Sequence, residues 1–139
     1  MDDPNQGTVV SVRGSVVDVL FPRKLPAINN ELRAGDNGEV VVEVGTQLNA
    51  QVVRGIALTP ARGLARGATV LDTGRTLQVP VGRELLGRAF DVFGKAIDKK
   101  AEPTGVEWRS IHGEPPPLAR QSAKSEIFAT GIKVIDVLA

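Results

Sequence analysis

The chain has 139 residues, 42% of them hydrophobic, with a mean hydropathy of -0.02. These values fit one globular domain, or one small domain and part of another, rather than a disordered or membrane-spanning class. Seventeen Lys and Arg stand against 16 Asp and Glu, so no bulk field draws the chain to nucleic acid or anionic lipid. With no cysteine, disulfides and thiolate metal sites are excluded.

The acidic, polar opening MDDPNQG has neither the charged and apolar regions of a secretory signal nor the arginines of a transit peptide. Valines then alternate with polar residues. In GEVVVEVG, Val40, Val42 and Val44 face one way and Glu39 and Glu43 the other, the period of a half-buried strand. Similar runs at Thr8 to Arg13, Ser15 to Phe21, Gln51 to Leu58, Ala68 to Asp72 and Thr76 to Val81 are separated by turn signals such as Arg13-Gly14-Ser15 and Asp36-Asn37-Gly38. Six short strands of this kind predict a small antiparallel β-barrel, because closure removes the edges that an open valine-rich sheet would expose.

The pattern changes near Val81. Leu86, Phe90 and Phe93 fall at i, i+4 and i+7, with Leu85 and Ala89 beside them and Gly94 placed as a C-terminal cap, so a short amphipathic helix is predicted from Glu84. Within it, GRELLGRA has the glycine spacing of a phosphate loop. Arg88 stands where that loop has lysine and Ala89 where it has a magnesium-binding hydroxyl. Leu85 and Leu86 read as core, and Gly87, which costs a helix about 1 kcal/mol against alanine, as a point of close backbone approach. The helix reading outweighs the phosphate reading.

Lys95 to Arg120 is rich in charge and proline and includes Pro115-Pro116-Pro117, an extended surface connector on this reading. Trp108 reads as its packing anchor rather than a stacking platform, and His112, the single histidine, as a turn residue rather than a ligand or general base. Arg62 and Arg66 could form an anion patch, although Gly63 and Gly67 favour a solvated turn. The last stretch, SEIFATGIKVIDVLA, sets Ile132, Ile135 and Leu138 on one helical face with Thr130 available as a cap. A helix so short needs a partner surface, and none follows it, so a piece of a longer protein is expected.

Three segments together resemble a known family: GTVVSVRGSVVDVLFP, then GLARGATVLDTGRTLQVPVGRELLGRAFDVFGKAID with Ile111-His112, then TGIKVIDVLA. In order and spacing they are similar to the start of the beta subunit of F-type ATP synthase. VPVG-x-x-x-LGR alone marks only the wider ring-ATPase superfamily; DVLFP and TGIKVIDVLA favour beta. The resemblance implies a crown β-barrel over residues 1–81, packed beside neighbouring barrels in a hexameric ring of alternating alpha and beta subunits. Over 82–139 it implies the start of an α/β P-loop nucleotide-binding domain, cut before the loop itself.

It further implies a parent that makes or hydrolyses ATP with magnesium, coupled to proton or sodium transport. That parent sits around a central gamma stalk, peripheral to the cytoplasmic side of a bacterial inner membrane. The family's catalytic, ATP/ADP-binding and magnesium-binding residues would lie beyond Ala139, so no catalytic, cofactor or metal residue is assigned here and the piece alone is expected to be inactive. Ala96, where the family usually has proline, and Gly113, where it has arginine, depart from the pattern. Two alternatives stand beside this reading: a related ring-ATPase subunit, such as an alpha subunit or a secretion ATPase, and a freestanding barrel that binds protein or oligonucleotide. The latter expects a basic face with interleaved aromatics, whereas Phe21 is the one aromatic residue in the barrel region.

Overall fold

The valine alternation folds as a closed barrel in a computed structural model that describes residues 4–35, 37–122, 124 and 126–138. Of the stretches read above, residues 1–3, Asp36, Ser125 and Ala139 lie outside the described residues. The strands are β1 (Gln6–Arg13), β2 (Val16–Leu20), β3 (Asn30–Ala34), β4 (Val40–Gln47), β5 (Val52–Ala57) and β6 (Thr69–Thr76). They close in the order β1-β2-β5-β4-β3-β6, every neighbouring pair antiparallel. Register shifts at Val9/Ser11, Asn30/Leu32 and Val44/Thr46 bend the strands where the sheet must curl on itself.

Inside, Val9, Val17, Val19, Phe21, Leu32, Ala34, Val40, Val42, Val44, Val53 and Val70 form one buried cluster. Most of these side chains are valine, compact and β-branched, which suits the narrow interior of a small barrel. The single aromatic residue, Phe21, plugs it beside Gly7, where an added Cβ would meet the ring at 2.9 Å.

The predicted barrel and its strand count agree with the structure, but one member differs. The run Thr76 to Val81 does not close the barrel. Thr76 ends β6, and Gln78–Val81 forms β7, paired outside the barrel with β8 (Glu107–Ser110) in a two-stranded sheet. Pro80 has no amide to donate, which suits a short edge ribbon better than a closed ladder. The missing barrel strand is β3, sequence NELRA. Its Asn, Glu and Arg do not read as a strand, yet Leu32 and Ala34 point into the core while Glu31 is buried against Arg33.

The amphipathic helix from Glu84 is not formed. A 3₁₀ turn covers Arg83–Leu85, and the chain then folds back so that Phe90 bridges Ala96. Asp91 explains the difference: its Oδ1 accepts hydrogen bonds from the amides of Phe93 and Lys95, both at 2.9 Å. A side chain that satisfies nearby amides this way competes with a helical ladder. Leu86, read as core, is 79% exposed. The connector is likewise more structured than expected, since β8 lies within it. Pro117 is extended as predicted, and a 3₁₀ turn, Leu118–Arg120, follows it. At the end, α1 (Lys133–Leu138) forms and buries none of its residues. Thr130 Oγ1 accepts from the Ile132 amide at 3.1 Å and donates to Asp136 at 2.7 Å, closing the entry to the helix.

Candidate functional site

The loop from Gly82 to Ala89 is held by its own neighbours. Gly87 adopts φ +70° and an added Cβ there would meet nothing within 4 Å, so it supplies a left-handed turn, not the close backbone approach expected of it. Close approach occurs instead at Gly94, where a Cβ would stand 2.3 Å from Pro80 Cδ. The turn at Gly87 sends Arg88 back across the loop. Its Nε donates to Asp98 Oδ2 at 2.6 Å, and its Nη2 to Asp98 Oδ1 at 3.2 Å and to the Ala101 carbonyl at 2.7 Å. The guanidinium also lies 5.5 Å from the centre of the Phe90 ring.

Both members of the pair are largely shielded from water. The hydrogen bond from Arg88 holds the Asp98 carboxyl well below the ordinary carboxylate range, against an opposing effect of desolvation, and the Lys100 amide adds to it. The same bond raises the Arg88 guanidinium. The side chain standing where a phosphate loop has lysine is thus engaged by an internal carboxylate, and the next residue is alanine. This arrangement braces a loop.

Beside the barrel, the ribbon of β7 and β8 follows directly on β6. Trp108, opposite Pro80 in the register, packs its ring edge over Gly94 and is half exposed, which agrees with its reading as an anchor. With Phe93, Leu77, Glu31, Arg33 and Arg75 it lines a groove of about 350 Å³. His112 does sit on a turn, yet it also reaches the barrel: its Nε2 lies 2.8 Å from Glu43 Oε1 on β4. An ionised carboxylate only accepts, so Nε2 carries the proton in that bond. The Ile111 amide donates to the Leu77 carbonyl at 3.1 Å, and Ser110 Oγ meets Thr76 Oγ1 at 2.5 Å.

On the outer wall of the barrel, Asp18 is buried between two arginines, Arg54 of β5 at 2.7 Å and Arg13 of β1 at 3.1 Å. The hydrogen bond from Arg54 lowers the Asp18 carboxyl most. Sequence reasoning missed both this triad and the Glu43–His112 contact. The available signal was an acid in the middle of the valine run SVVDVL. Arg62 and Arg66 are exposed around Gly63 and Gly67, both left-handed, in keeping with a solvated turn. Among the described residues no cluster of three or more His, Cys, Asp or Glu could hold a metal, and no helix is long and apolar enough to cross a membrane.

Comparison with known proteins matches this geometry. The ATP synthase alpha/beta family, beta-barrel domain, matches residues 9–74, which run from β1 into β6. ATP synthase subunit beta 1 of Marinomonas sp. is 60% identical over 96% of this chain and 28% of its own length. ATP synthase subunit beta 2 of Albidiferax ferrireducens is 61% identical over 96% of this chain and 26% of its own. The corresponding subunit beta 2 of Shewanella frigidimarina is 55% identical over 97% and 28%. The chain therefore spans little more than a quarter of the length of these relatives. A closed six-stranded barrel thus stands at the residues matched by that barrel domain, and the similarity to ATP synthase beta subunits runs along nearly the whole chain.

Proposed function

We propose that this chain supplies the ring-forming scaffold of a rotary ATP synthase, and that the parent subunit makes or hydrolyses ATP with magnesium, coupled to proton or sodium transport. Residues 1–81, the barrel together with the β7 segment that leaves it, act as the barrel domain and 82–139 as the opening of a P-loop nucleotide-binding domain. The partners are alpha subunits alternating with beta in a hexameric ring around a gamma stalk, on the cytoplasmic side of a bacterial inner membrane. The single observation that supports this most is the closed barrel at the residues matched by the family's barrel domain, within a chain about 60% identical to beta subunits along nearly all of its length.

The site chemistry supports assigning assembly, not catalysis, to these residues. Arg88 is engaged by Asp98, and the barrel lumen is filled by valine. No catalytic, nucleotide or metal residue is proposed within 1–139. Co-expression with the alpha subunit from the same genome tests the reading. Co-purification that survives dilution is the expected result. Failure of the folded chain to associate with alpha, together with binding of single-stranded nucleic acid, would favour the freestanding binding module instead.

A further inference from the structure

The ribbon of β7 and β8 joins the barrel covalently through Leu77, the one residue between β6 and β7. Its other end, Ser110 to His112, returns to the same place. Of the hydrogen bonds made there among the described residues, Ile111 to Leu77 and Ser110 to Thr76 fall on that covalent joint. They brace the hinge and do not fix its angle. A further one is different: His112 reaches Glu43 on β4, a strand separated from the joint by β3 in the barrel wall. Two points of attachment on separate strands fix an orientation, whereas one leaves a lever free to swing.

The sequence places an unusual demand at that second point. Glu43 lies directly opposite Glu31 across the β3–β4 ladder, and like charges so placed repel. Arg33 takes Glu31, through a contact at 2.5 Å, and His112 takes Glu43. The imidazole therefore does two things at once: it gives a partly buried carboxylate its partner, and it ties the post-barrel segment to the barrel wall.

We propose that the His112–Glu43 contact is a latch that sets the orientation of the segment after the barrel relative to the barrel itself, with His112 as its positioning residue. The inference rests on these contacts alone and is independent of the function proposed above. Because the chain contains no cysteine, two spin labels can be introduced cleanly, at Arg66→Cys on an exposed barrel loop and Lys100→Cys on the post-barrel segment, and the distance between them measured by pulsed electron resonance.

The otherwise unaltered chain should give one narrow distance peak. His112→Ala should abolish it in favour of a broad distribution while far-UV dichroism still reports an intact barrel. Glu43→Gln keeps an acceptor for Nε2–H and relieves the repulsion with Glu31, so it should retain the narrow peak. The exchanged pair Glu43→His with His112→Glu should restore a narrow peak, which a merely local packing role would not. An unchanged narrow peak in His112→Ala would overturn the latch, as would loss of the barrel itself, since His112 stands outside the core.

Discussion

Arg88 and Asp98 face each other across the loop that follows the barrel, joined by two hydrogen bonds at 2.6 and 3.2 Å, with a third from Arg88 to the Ala101 carbonyl. The planar fork of the guanidinium meets both carboxylate oxygens and the carbonyl at once in a fixed geometry that an ammonium does not reproduce. Arg88→Lys keeps the charge and loses the fork, so it should lower the thermal midpoint. Arg88→Met, which strands Asp98 without its partner, should lower it further. Scanning calorimetry of the two variants checks the order; equal midpoints for Arg88→Met and the parent would show that the brace contributes nothing.

The same pair has a pH signature. Asp98 and Asp18 are each held below the ordinary carboxylate range, chiefly by hydrogen bonds from Arg88 and Arg54. A carboxyl depressed in the folded state contributes stability that is fully present above its unfolded value, about 4. That contribution is lost as pH falls through the folded value. Urea unfolding across the acid range should therefore show a stability gap between the parent and Asp98→Asn that is full at pH 7 and closes on acidification. A gap that widens as pH falls would reverse the sign.

Gly87 gives a test in which helix and turn make opposite forecasts. Were the segment helical, Gly87→Ala would stabilise it by about 1 kcal/mol. At φ +70° the added Cβ instead costs about 1 kcal/mol or more. Denaturant midpoints of the single variant decide the sign.

Strand β3 can be checked against the run that the sequence offers in its place. Leu32 is fully buried in the barrel core, so Leu32→Ala should cost about 2–5 kcal/mol. Val79 lies in the outer ribbon and is only partly buried, so Val79→Ala should cost less than half as much. Comparable losses would place β7 in the barrel wall.

These comparisons show where the fold was legible. Valine at period two marked β1, β2 and β4, and shorter apolar runs marked β5 and the first half of β6, because inward residues of a small barrel must be apolar and small at every second position. In β3 the signal failed because its polar residues find partners within the fold: Asp72, distant in sequence, for Asn30, and Arg33 and Glu31 for each other inside the strand. The false helix at Glu84 arose because Leu86, Phe90 and Phe93 matched a helical period by position alone. Asp91 and Gly87 carried the contrary turn chemistry. The engagement of Arg88 by Asp98, ten residues on, and of Glu43 by His112, much farther along the chain, could not be read from local pattern, since each depends on a chain reversal the sequence does not announce.

We propose that residues 1–139 serve as scaffold and hold no nucleotide, despite glycine spacing that imitates a phosphate loop. Isothermal titration of the chain with Mg-ATP tests it most directly. No saturable heat is expected at ligand concentrations up to the millimolar range; saturable binding at micromolar affinity, abolished by Arg88→Met, would overturn the scaffold reading.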